Sequence, residues 1–176
     1  MTKAIILKGK AVVVRDDKNK PIDDIDTDMI FHNKYLHITE ITEMGQYTFD
    51  NLEGWKDFAK KAKKGDILFL GANFGSGSSR QQAVDCFTAL GIQTLIAKSF
   101  GAIYKRNAIN AGMPLIMADI IDDLTKISTG DEVEVNLASG LIKNITKGIE
   151  YQAQKMSNVQ MDIYQAGDLF TYAKNL

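Results

Sequence analysis

The chain has 176 residues, 45% of them hydrophobic and 24% charged, which is typical of one globular domain with its own core. Its formal net charge of −1 excludes a general attraction to nucleic acid or to an anionic membrane, so any anion site must be local. The one cysteine, Cys86, excludes an internal disulfide and an iron–sulfur cluster held by this chain alone, since a cluster needs about four thiolates.

We expect a single domain over residues 1–176, located in the cytoplasm. The first residues, MTKAIILKGKAVVV, are interrupted by Lys8 and Lys10 and lack a small-residue cleavage site, so they predict a strand and not a signal peptide. No run approaches the ~20 apolar residues of a membrane span. A free thiol also fits a reducing compartment better than an oxidising one.

The first third of the chain mixes a strand, a loop and a helix. Residues 3–14, rich in Ile and Val, predict one strand or two short ones, and the polar stretch 15–28 predicts a loop. Residues 29–38 are compatible with a short strand and a turn. From Trp55 to Lys64 the apolar residues recur at helical spacing, which predicts a helix that Gly65 ends.

The middle of the chain alternates between buried strands and helices. Continuous apolar runs at 66–70, 92–97 and 114–117 predict strands, and helical spacing over 80–91 and 99–111 predicts the helices between them. This order is typical of a parallel βαβ core, and it places the chain in the α/β class.

The last third of the chain predicts different elements. Residues 132–137 alternate with period two, and the turn sequence ASG separates them from LIKNIT, which predicts a β-hairpin. The tail, residues 158–175, is compatible with one or two helices.

The most informative segment is GANFGSGSSR, Gly71–Arg80, which lies between a predicted strand and a helix. In open α/β sheets, ligands bind beyond the carboxyl ends of the strands, where helix N-termini present backbone N–H groups to an anion. Gly75 and Gly77 would let the backbone turn and approach a ligand closely. Together with Asn73 they are the candidate backbone contacts.

Polar side chains at the end of this segment extend the hypothesis. Ser78 or Ser79 would cap the helix, and Arg80 would hold a carboxylate through two parallel hydrogen bonds. The alternative is a simple capped turn with a solvated arginine, and spacing alone does not separate the two. The histidines, His32 and His37, have no metal-ligand spacing and are interpreted as surface or loop residues.

Several motifs in order make the chain recognisable. They are NFGSGSSR, AKSFGAIYKRNAINAGMPLI, Asp26-Thr27-Asp28 followed by Lys34-Tyr35-Leu36, Lys64-Gly65-Asp66, and the hairpin region from Gly130-Asp131 to Asn144. Over roughly residues 8–170 the chain resembles the small subunits of 3-isopropylmalate dehydratase and homoaconitase, the swivel domain of the aconitase superfamily.

The resemblance implies a swivelling β/β/α fold of the aconitase C-terminal type, with a mainly parallel βαβ core plus a β-hairpin. It also implies a large partner subunit, in a heterodimer or heterotetramer, that carries a 4Fe–4S cluster, while this chain holds no metal or cofactor. The implied reaction is that of a hydro-lyase, which removes water from a small di- or tricarboxylate and adds it back with hydrogen and hydroxyl exchanged.

The resemblance also assigns roles to particular residues. Ser78 would be the base that removes a C–H proton, and its charged form would be stabilised by the helix N-terminus and by Arg80. Arg80 would also hold a substrate carboxylate, and Ser79 would position or cap. Thr27 and Asp28 would line the other edge of the site, with a loop turn or a helix cap as the alternative.

The residues after Tyr35-Leu36 would read the variable side chain of the substrate. Here Ile38 favours an apolar group, His37 is a weak discriminator, and no Arg is present to suit an extra carboxylate. This predicts 3-isopropylmalate dehydratase, which isomerises 2-isopropylmalate to 3-isopropylmalate in leucine biosynthesis. Homoaconitase and a citraconate or dimethylmaleate hydratase are the alternatives.

The chain departs from the family motif at two places, and two other functions are alternatives to the enzyme subunit. Ser76 replaces a Cys that is frequent in relatives, and Gln81-Gln82 replace Glu-His, which changes the hydrogen bonds behind the loop. The chain could also be a stand-alone carboxylate-binding module or a structural interaction domain. The ordered presence of Asp26–Asp28, Ser78 and Arg80 favours the enzyme subunit.

Overall fold

The structure is a computed structural model that describes residues 2–176. Its strands are β1 (Ile6–Val13), β2 (Ile67–Leu70), β3 (Thr94–Ala97), β4 (Leu115–Met117), β5 (Glu132–Asn136), β6 (Leu141–Asn144) and β7 (Ile149–Gln152). Its α-helices are α1 (Thr27–Ile30), α2 (Ile41–Met44), α3 (Phe58–Lys61), α4 (Gln82–Ala89), α5 (Ala102–Asn110), α6 (Asn158–Ala166) and α7 (Leu169–Lys174). Short 3-10 helices occupy Asn33–Tyr35, Gly45–Tyr47 and Ile120–Asp122.

The strands form one mixed sheet in the order β4-β3-β2-β1-β5-β6-β7. Strands β1 to β4 pair in parallel, with Ala11 opposite Ile67 where β1 meets β2. Strand β5 pairs antiparallel with β1 and starts a meander through β6 and β7. The predicted parallel βαβ core and the β5–β6 hairpin are confirmed, and β7 adds a strand that the sequence pattern did not predict.

Alternation along the buried strands divides the core into two layers. In β2, Leu68 and Leu70 pack with the core residues of α1 to α5, whereas Ile67 and Phe69 face a second cluster that includes residues of β5, β6 and α6. Because both faces of the parallel strands are covered, these strands are continuously apolar and not alternating.

The stretch 29–38 contains no strand, so that part of the prediction was wrong. Helix α1 follows Asp26, whose carboxylate accepts the backbone N–H of Met29 at 2.8 Å. The first 3-10 helix follows His32, whose Nδ1 accepts the N–H of Lys34 at 3.1 Å. Side-chain acceptors placed before a turn satisfy its free N–H groups, and this favours helical turns over an extended strand.

The helix predicted over Trp55–Lys64 is reduced to α3, and it ends at Ala62 and not at Gly65. Ala62 has an extended backbone (ψ 140°), and Asp66 accepts the N–H of Lys63 at 2.9 Å. Gly65 then takes φ +96° and leads directly into β2. The glycine therefore acts in the turn before the strand, where its missing side chain permits a positive φ.

The predicted tail helices are confirmed as α6 and α7. Helix α6 begins with a reciprocal capping box between Ser157 and Gln160, and Asp168 caps α7 by accepting the N–H of Thr171 at 2.7 Å. No helix within residues 2–176 is long and apolar enough to cross a membrane.

Candidate active site

The Gly71–Arg80 segment leaves the carboxyl end of β2 and runs beside the loop that carries the Asp26-Thr27-Asp28 motif. Three backbone hydrogen bonds of 2.7 to 2.9 Å join the two loops, from Asp24 to Ala72, from Gly75 to Ile25 and from Thr27 to Ser76. The two motifs are far apart along the chain, and this pairing places them side by side at one edge of the sheet.

Asn73 braces this pairing. Its Nδ2 donates to Asp24 Oδ1 at 2.9 Å, and its backbone N–H donates to Ser99 Oγ at 2.8 Å. Its φ of 55° is in the left-handed region, which Asn tolerates better than most residues. The sequence had suggested that the N–H of Asn73 binds an anion. Because this N–H already donates to Ser99 Oγ, it is not free to do so.

Gly75 serves packing and not ligand approach. Its N–H donates to Ile25 at 2.7 Å, its φ is +81°, and a Cβ there would lie 2.2 Å from the ring of Tyr104. Tyr104 is itself buried and donates its hydroxyl to the backbone oxygen of Ala83 at 2.8 Å. The absence of a side chain at Gly75 therefore lets α5 pack closely against the loop.

Replacing Gly75 with alanine is expected to lower the free energy of unfolding by about 2–5 kcal/mol, through a strained positive φ and overpacking against Tyr104. Urea denaturation of the isolated chain measures this. Gly54 is the matched control, because its φ is +83° and a Cβ there would have no atom within 4 Å. Gly54→Ala carries the backbone strain alone, so equal losses in both variants would disprove the packing role of Gly75.

Beyond Gly75 the loop opens to solvent. Gly77 is exposed, with φ +99°, and a Cβ there would approach Thr27 Oγ1 to 3.6 Å, which is ordinary contact. From Gly77 to Gln82 the backbone N–H groups have no acceptor among the described residues. This stretch can therefore donate hydrogen bonds to an anion without breaking a contact of the fold.

Ser78 is exposed and lies between two polar groups. Its Oγ is 3.3 Å from Thr27 Oγ1 and 3.4 Å from Arg80 Nη2. Thr27 is buried and Arg80 is mostly covered, so both neighbours are held in place while the Ser78 hydroxyl faces solvent. The structure thus brings together three of the residues that the sequence singled out.

Arg80 is an ion-pair partner and not a solvated side chain. Its Nη1 donates to Asp28 Oδ1 at 3.1 Å and to the backbone oxygen of Phe31 at 2.8 Å, and its side chain is 11% exposed. These contacts hold one edge of the guanidinium inside the chain. Nη2 remains beside Ser78, so it is the edge that a substrate carboxylate can reach.

The charge of Asp28 is stabilised within this arrangement. Burial alone raises the pKa of Asp28, but the N–H of Asn33, the hydrogen bond from Arg80 and the charges of His32 and Arg80 outweigh it and lower the pKa. Since the folded pKa is depressed, the pair contributes stability above the ordinary pKa of an Asp, and this contribution is lost as the pH falls through the lowered value.

Neither serine caps the following helix, so that prediction was wrong. Helix α4 begins at Gln82 with Gln81 as its N-cap, and the cap makes no side-chain hydrogen bond. Ser79 is instead exposed, and its Oγ accepts a hydrogen bond from Asn107 Nδ2 of α5 at 3.1 Å. Ser78 therefore lies before the helix and not at its first turn, which shifts the stabilisation of an anion from the helix dipole to the loop N–H groups and Arg80.

The residues expected to read the substrate differ in exposure. Ile38 is 8% exposed and belongs to the core, so its side chain does not face the site, whereas His37 is exposed. Leu36 is 41% exposed, and its backbone oxygen accepts a hydrogen bond from Gln82 Nε2 at 3.3 Å. The apolar side chain of this loop that can meet a ligand is therefore Leu36.

Two asparagines at the site were not predicted. Asn107 holds Ser79, as described above, and Asn51 donates to both a backbone and a carboxylate oxygen of Asp28, each at 3.2 Å. Asn107 lies in one of the segments that carry the family resemblance. Asn51 lies in a stretch without any recognisable pattern, and its role depends on a contact that no local signal reports.

The described residues do not fit a metal or an iron–sulfur cluster. Within residues 2–176 no three His, Cys, Asp or Glu side chains are grouped so that they could hold a metal ion. Cys86 is buried in the core, and burial raises the pKa of its thiol to about 12. Cys86 is therefore a protonated core residue that does not reach the surface near Ser78 and Arg80, and it is not placed to ligate a cluster there.

Comparison with known proteins is consistent from sequence to structure. The family described as the aconitase C-terminal domain matches residues 6–119. The chain is 41% identical to the 3-isopropylmalate dehydratase small subunit of Caldicellulosiruptor bescii over 97% of this chain and 96% of that protein. It is 44% identical to the isopropylmalate/citramalate isomerase small subunit of Methanocaldococcus jannaschii over 86% of this chain and 88% of that protein.

A solved structure supports the same relationship. The crystal structure of a 3-isopropylmalate dehydratase from Methanocaldococcus jannaschii superposes with a TM-score of 0.84 at 36% sequence identity, covering 97% of this chain and 94% of that chain. The likeness therefore extends over nearly the whole length of both molecules.

Proposed function

The chain belongs to the aconitase C-terminal domain family and is a small subunit of the 3-isopropylmalate dehydratase type, and on this premise we propose how its residues act. The chain works as a single swivel-type domain over residues 1–176 that completes the active site of a hydro-lyase. The reaction removes water from 2-isopropylmalate to give a cis-alkene and adds it back with hydrogen and hydroxyl exchanged, which gives 3-isopropylmalate.

Ser78 is the base in this proposal, and its environment is the observation that carries it. The hydroxyl is exposed, lies 3.4 Å from the Arg80 guanidinium, and belongs to a stretch whose N–H groups have no acceptor in the described chain. Positive charge and hydrogen-bond donors around an oxygen stabilise its negative form, so they favour removal of the C–H proton next to a carboxylate. The deprotonated Ser78 oxygen takes the C–H proton and becomes the neutral hydroxyl, and it returns that proton to the alkene when water adds, which restores the deprotonated form.

Arg80 binds the substrate carboxylate through Nη2, because Nη1 is committed to Asp28 and Phe31. The Asp28 pair fixes the plane of the guanidinium and so fixes where the carboxylate sits relative to Ser78. Holding a reacting carbon at a set distance from its base lowers the entropy that the reaction loses. Thr27 supports Ser78 from the other side, and Ser79 is positioned by Asn107.

The exposure of the site to solvent indicates that a partner subunit covers it. Ser78 and Ser79 are exposed, and two large apolar side chains are exposed on neighbouring elements: Leu36 at 41%, whose backbone oxygen accepts from Gln82, and Ile103 at 46%, which lies one turn before Asn107 on α5. A site that must exclude water needs a second surface over these residues. We propose that the large subunit provides that surface and carries the iron–sulfur cluster, which the side chains described over residues 2–176 do not fit.

The substrate and the location follow from the same residues. We propose that the exposed Leu36 side chain meets the variable group of the substrate, and an apolar contact there suits an isopropyl group better than an added carboxylate. A relative in Methanocaldococcus jannaschii is described as acting on isopropylmalate and citramalate, so a smaller apolar substituent is a second candidate. Because the one cysteine is a free thiol, we place the complex in the cytoplasm.

Anaerobic co-expression with the large subunit tests the proposal. We expect the isolated chain to be inactive, and the complex to convert 2-isopropylmalate to 3-isopropylmalate faster than it converts citramalate or homoaconitate. Isomer analysis of the products by chromatography measures this. An active complex that prefers homoaconitate would overturn the substrate assignment, and ligand binding by the isolated chain without any activity of the complex would favour a carboxylate-binding module.

A further inference from the structure

Asn51 is connected to the site through Asp28. Its Nδ2 donates to the backbone oxygen of Asp28 and to Oδ2 of the carboxylate, each at 3.2 Å. Both partners are acceptors, so the amide nitrogen, and not the amide oxygen, must face them. The other carboxylate oxygen, Oδ1, accepts from the N–H of Asn33 at 2.9 Å and from Arg80 at 3.1 Å.

The turn that carries Asn51 is held rigidly on both sides. Phe49 is fully buried and donates its N–H to Ile30 at 2.9 Å, and Leu52 is 5% exposed. Asp50 accepts a hydrogen bond from the Tyr35 hydroxyl at 2.7 Å. The Asn51 amide is therefore presented from a fixed backbone and can restrict the group that it binds.

Taken together, these contacts leave the Asp28 carboxylate little freedom to rotate. Asn51 holds Oδ2, while Oδ1 accepts both from the N–H of Asn33 and from Arg80 Nη1. Rotation of the carboxylate would weaken its contact with Nη1 and leave the backbone oxygen of Phe31 as the acceptor for that nitrogen, and one acceptor alone does not fix the tilt of the guanidinium that places Nη2 beside Ser78. The orientation of Arg80 relative to Ser78 thus depends on Asn51, although Asn51 makes no hydrogen bond to either of them.

We propose that Asn51 is a positioning residue for the reaction, acting through Asp28 to orient Arg80 beside Ser78. The inference rests on the proposed function, since it deepens the account of the same site. If Asn51 only stabilised the loop, its loss would lower the stability of the chain whether or not Asp28 is present. The positioning role instead predicts a loss of activity that depends on Asp28.

Kinetics of the assembled complex with 2-isopropylmalate test the role. Asn51→Ala is expected to lower kcat/KM about 10- to 100-fold, the usual cost of losing a hydrogen bond to a charged group. Glu53→Gln, two residues further along the same turn, is the matched control and is expected to stay within about twofold, because the Glu53 side chain is 93% exposed and pairs with Lys56 and not with Asp28. When Asp28→Asn is already present, adding Asn51→Ala should lower kcat/KM by less than about a further twofold, because the effect of Asn51 passes through the Asp28 carboxylate.

If the wild-type complex is active and the Asn51→Ala complex has the same kcat/KM, the inference is overturned. It is also overturned if Asn51→Ala causes the same loss of about 10- to 100-fold in the Asp28→Asn background. If Asn51→Ala does not assemble, Asn51→Asp keeps the shape of the side chain and replaces the donor with an acceptor, so a loss at least as large is expected.

A measurement on the isolated chain separates this inference from the proposed function. Carbon-detected NMR titration of Asp28 should give a higher carboxyl pKa in Asn51→Ala than in wild type, because a donor to the charged form is lost. An unchanged pKa would refute the contact. A wild-type complex without isomerase activity would refute the proposed function and leave this titration as the test of the Asn51–Asp28 contact.

Discussion

Replacing Ser78 with alanine is expected to lower kcat of the assembled complex by a factor of about 100 to 10,000, the contribution of a positioned base. The reason is that Ser78 is the one hydroxyl within hydrogen-bond distance of Arg80 Nη2 among residues 2–176, and the neighbouring Thr27 is buried. KM should change little, since the carboxylate contact through Arg80 remains. Because the Ser78 side chain is exposed in this chain, the fold should be unaffected, and because the change removes a single hydroxyl from the surface that faces the partner, the subunits should still assemble.

Ser79→Ala is the matched control for this result. Ser79 is also an exposed serine of the same loop, but its Oγ is engaged by Asn107 and not by Arg80. We expect it to lose activity by no more than about tenfold, the value of one hydrogen bond. Steady-state kinetics and gel filtration of both complexes provide the measurement. Normal turnover in Ser78→Ala would rule Ser78 out as the base.

Replacing Arg80 with glutamine is expected to lower kcat/KM, with a loss of about 2–5 kcal/mol in transition-state stabilisation, because the largely covered guanidinium loses its contact with Asp28 and its contact with the substrate carboxylate together. The variant leaves Asp28 without its cation and the backbone oxygen of Phe31 without its donor. A lower free energy of unfolding should therefore accompany the kinetic loss. Urea denaturation and kinetics of the same preparation measure the two effects.

Arg80→Lys separates charge from geometry. A lysine ammonium is a single point charge and cannot hold Asp28, Phe31 and a substrate carboxylate at once, so we expect it to recover stability better than activity. Arg106 is an exposed arginine on α5, so Arg106→Lys is the matched control and should leave both the stability and the activity near wild type. Full activity in Arg80→Lys would show that charge alone suffices and would contradict the two-edged role of the guanidinium.

The helices around the site show where local patterns were informative and where they failed. The apolar run ending at Leu70 and the helical spacing after Arg80 correctly predicted a strand, a loop and a helix in that order. The same reasoning overextended α3, because apolar spacing does not show that the backbone of Ala62 is extended and that Asp66 accepts the N–H of Lys63. Helix ends depend on such single hydrogen bonds, which periodicity does not report.

Exposure was the property that sequence patterns described least well at the site. Ile38 and Leu36 are both apolar and only two positions apart, yet one is in the core and the other faces solvent. Gly75 and Gly77 have the same residue type in the same loop, but only Gly75 is packed against Tyr104. In each case the difference comes from the neighbour that the fold supplies.

The amino-acid sequence alone determined the α/β class, the parallel core, the family resemblance and the loop that contains Ser78 and Arg80, because these depend on periodicity, turn residues and short motifs along the chain. Only the tertiary structure decided that Arg80 is paired with Asp28, that Asn51 holds that carboxylate, and that Ser78 lies before the helix. The physical reason is that β1 and β2 are parallel neighbours, so the loops after their carboxyl ends meet, and hydrogen bonds between them form at distances along the chain that no local pattern spans.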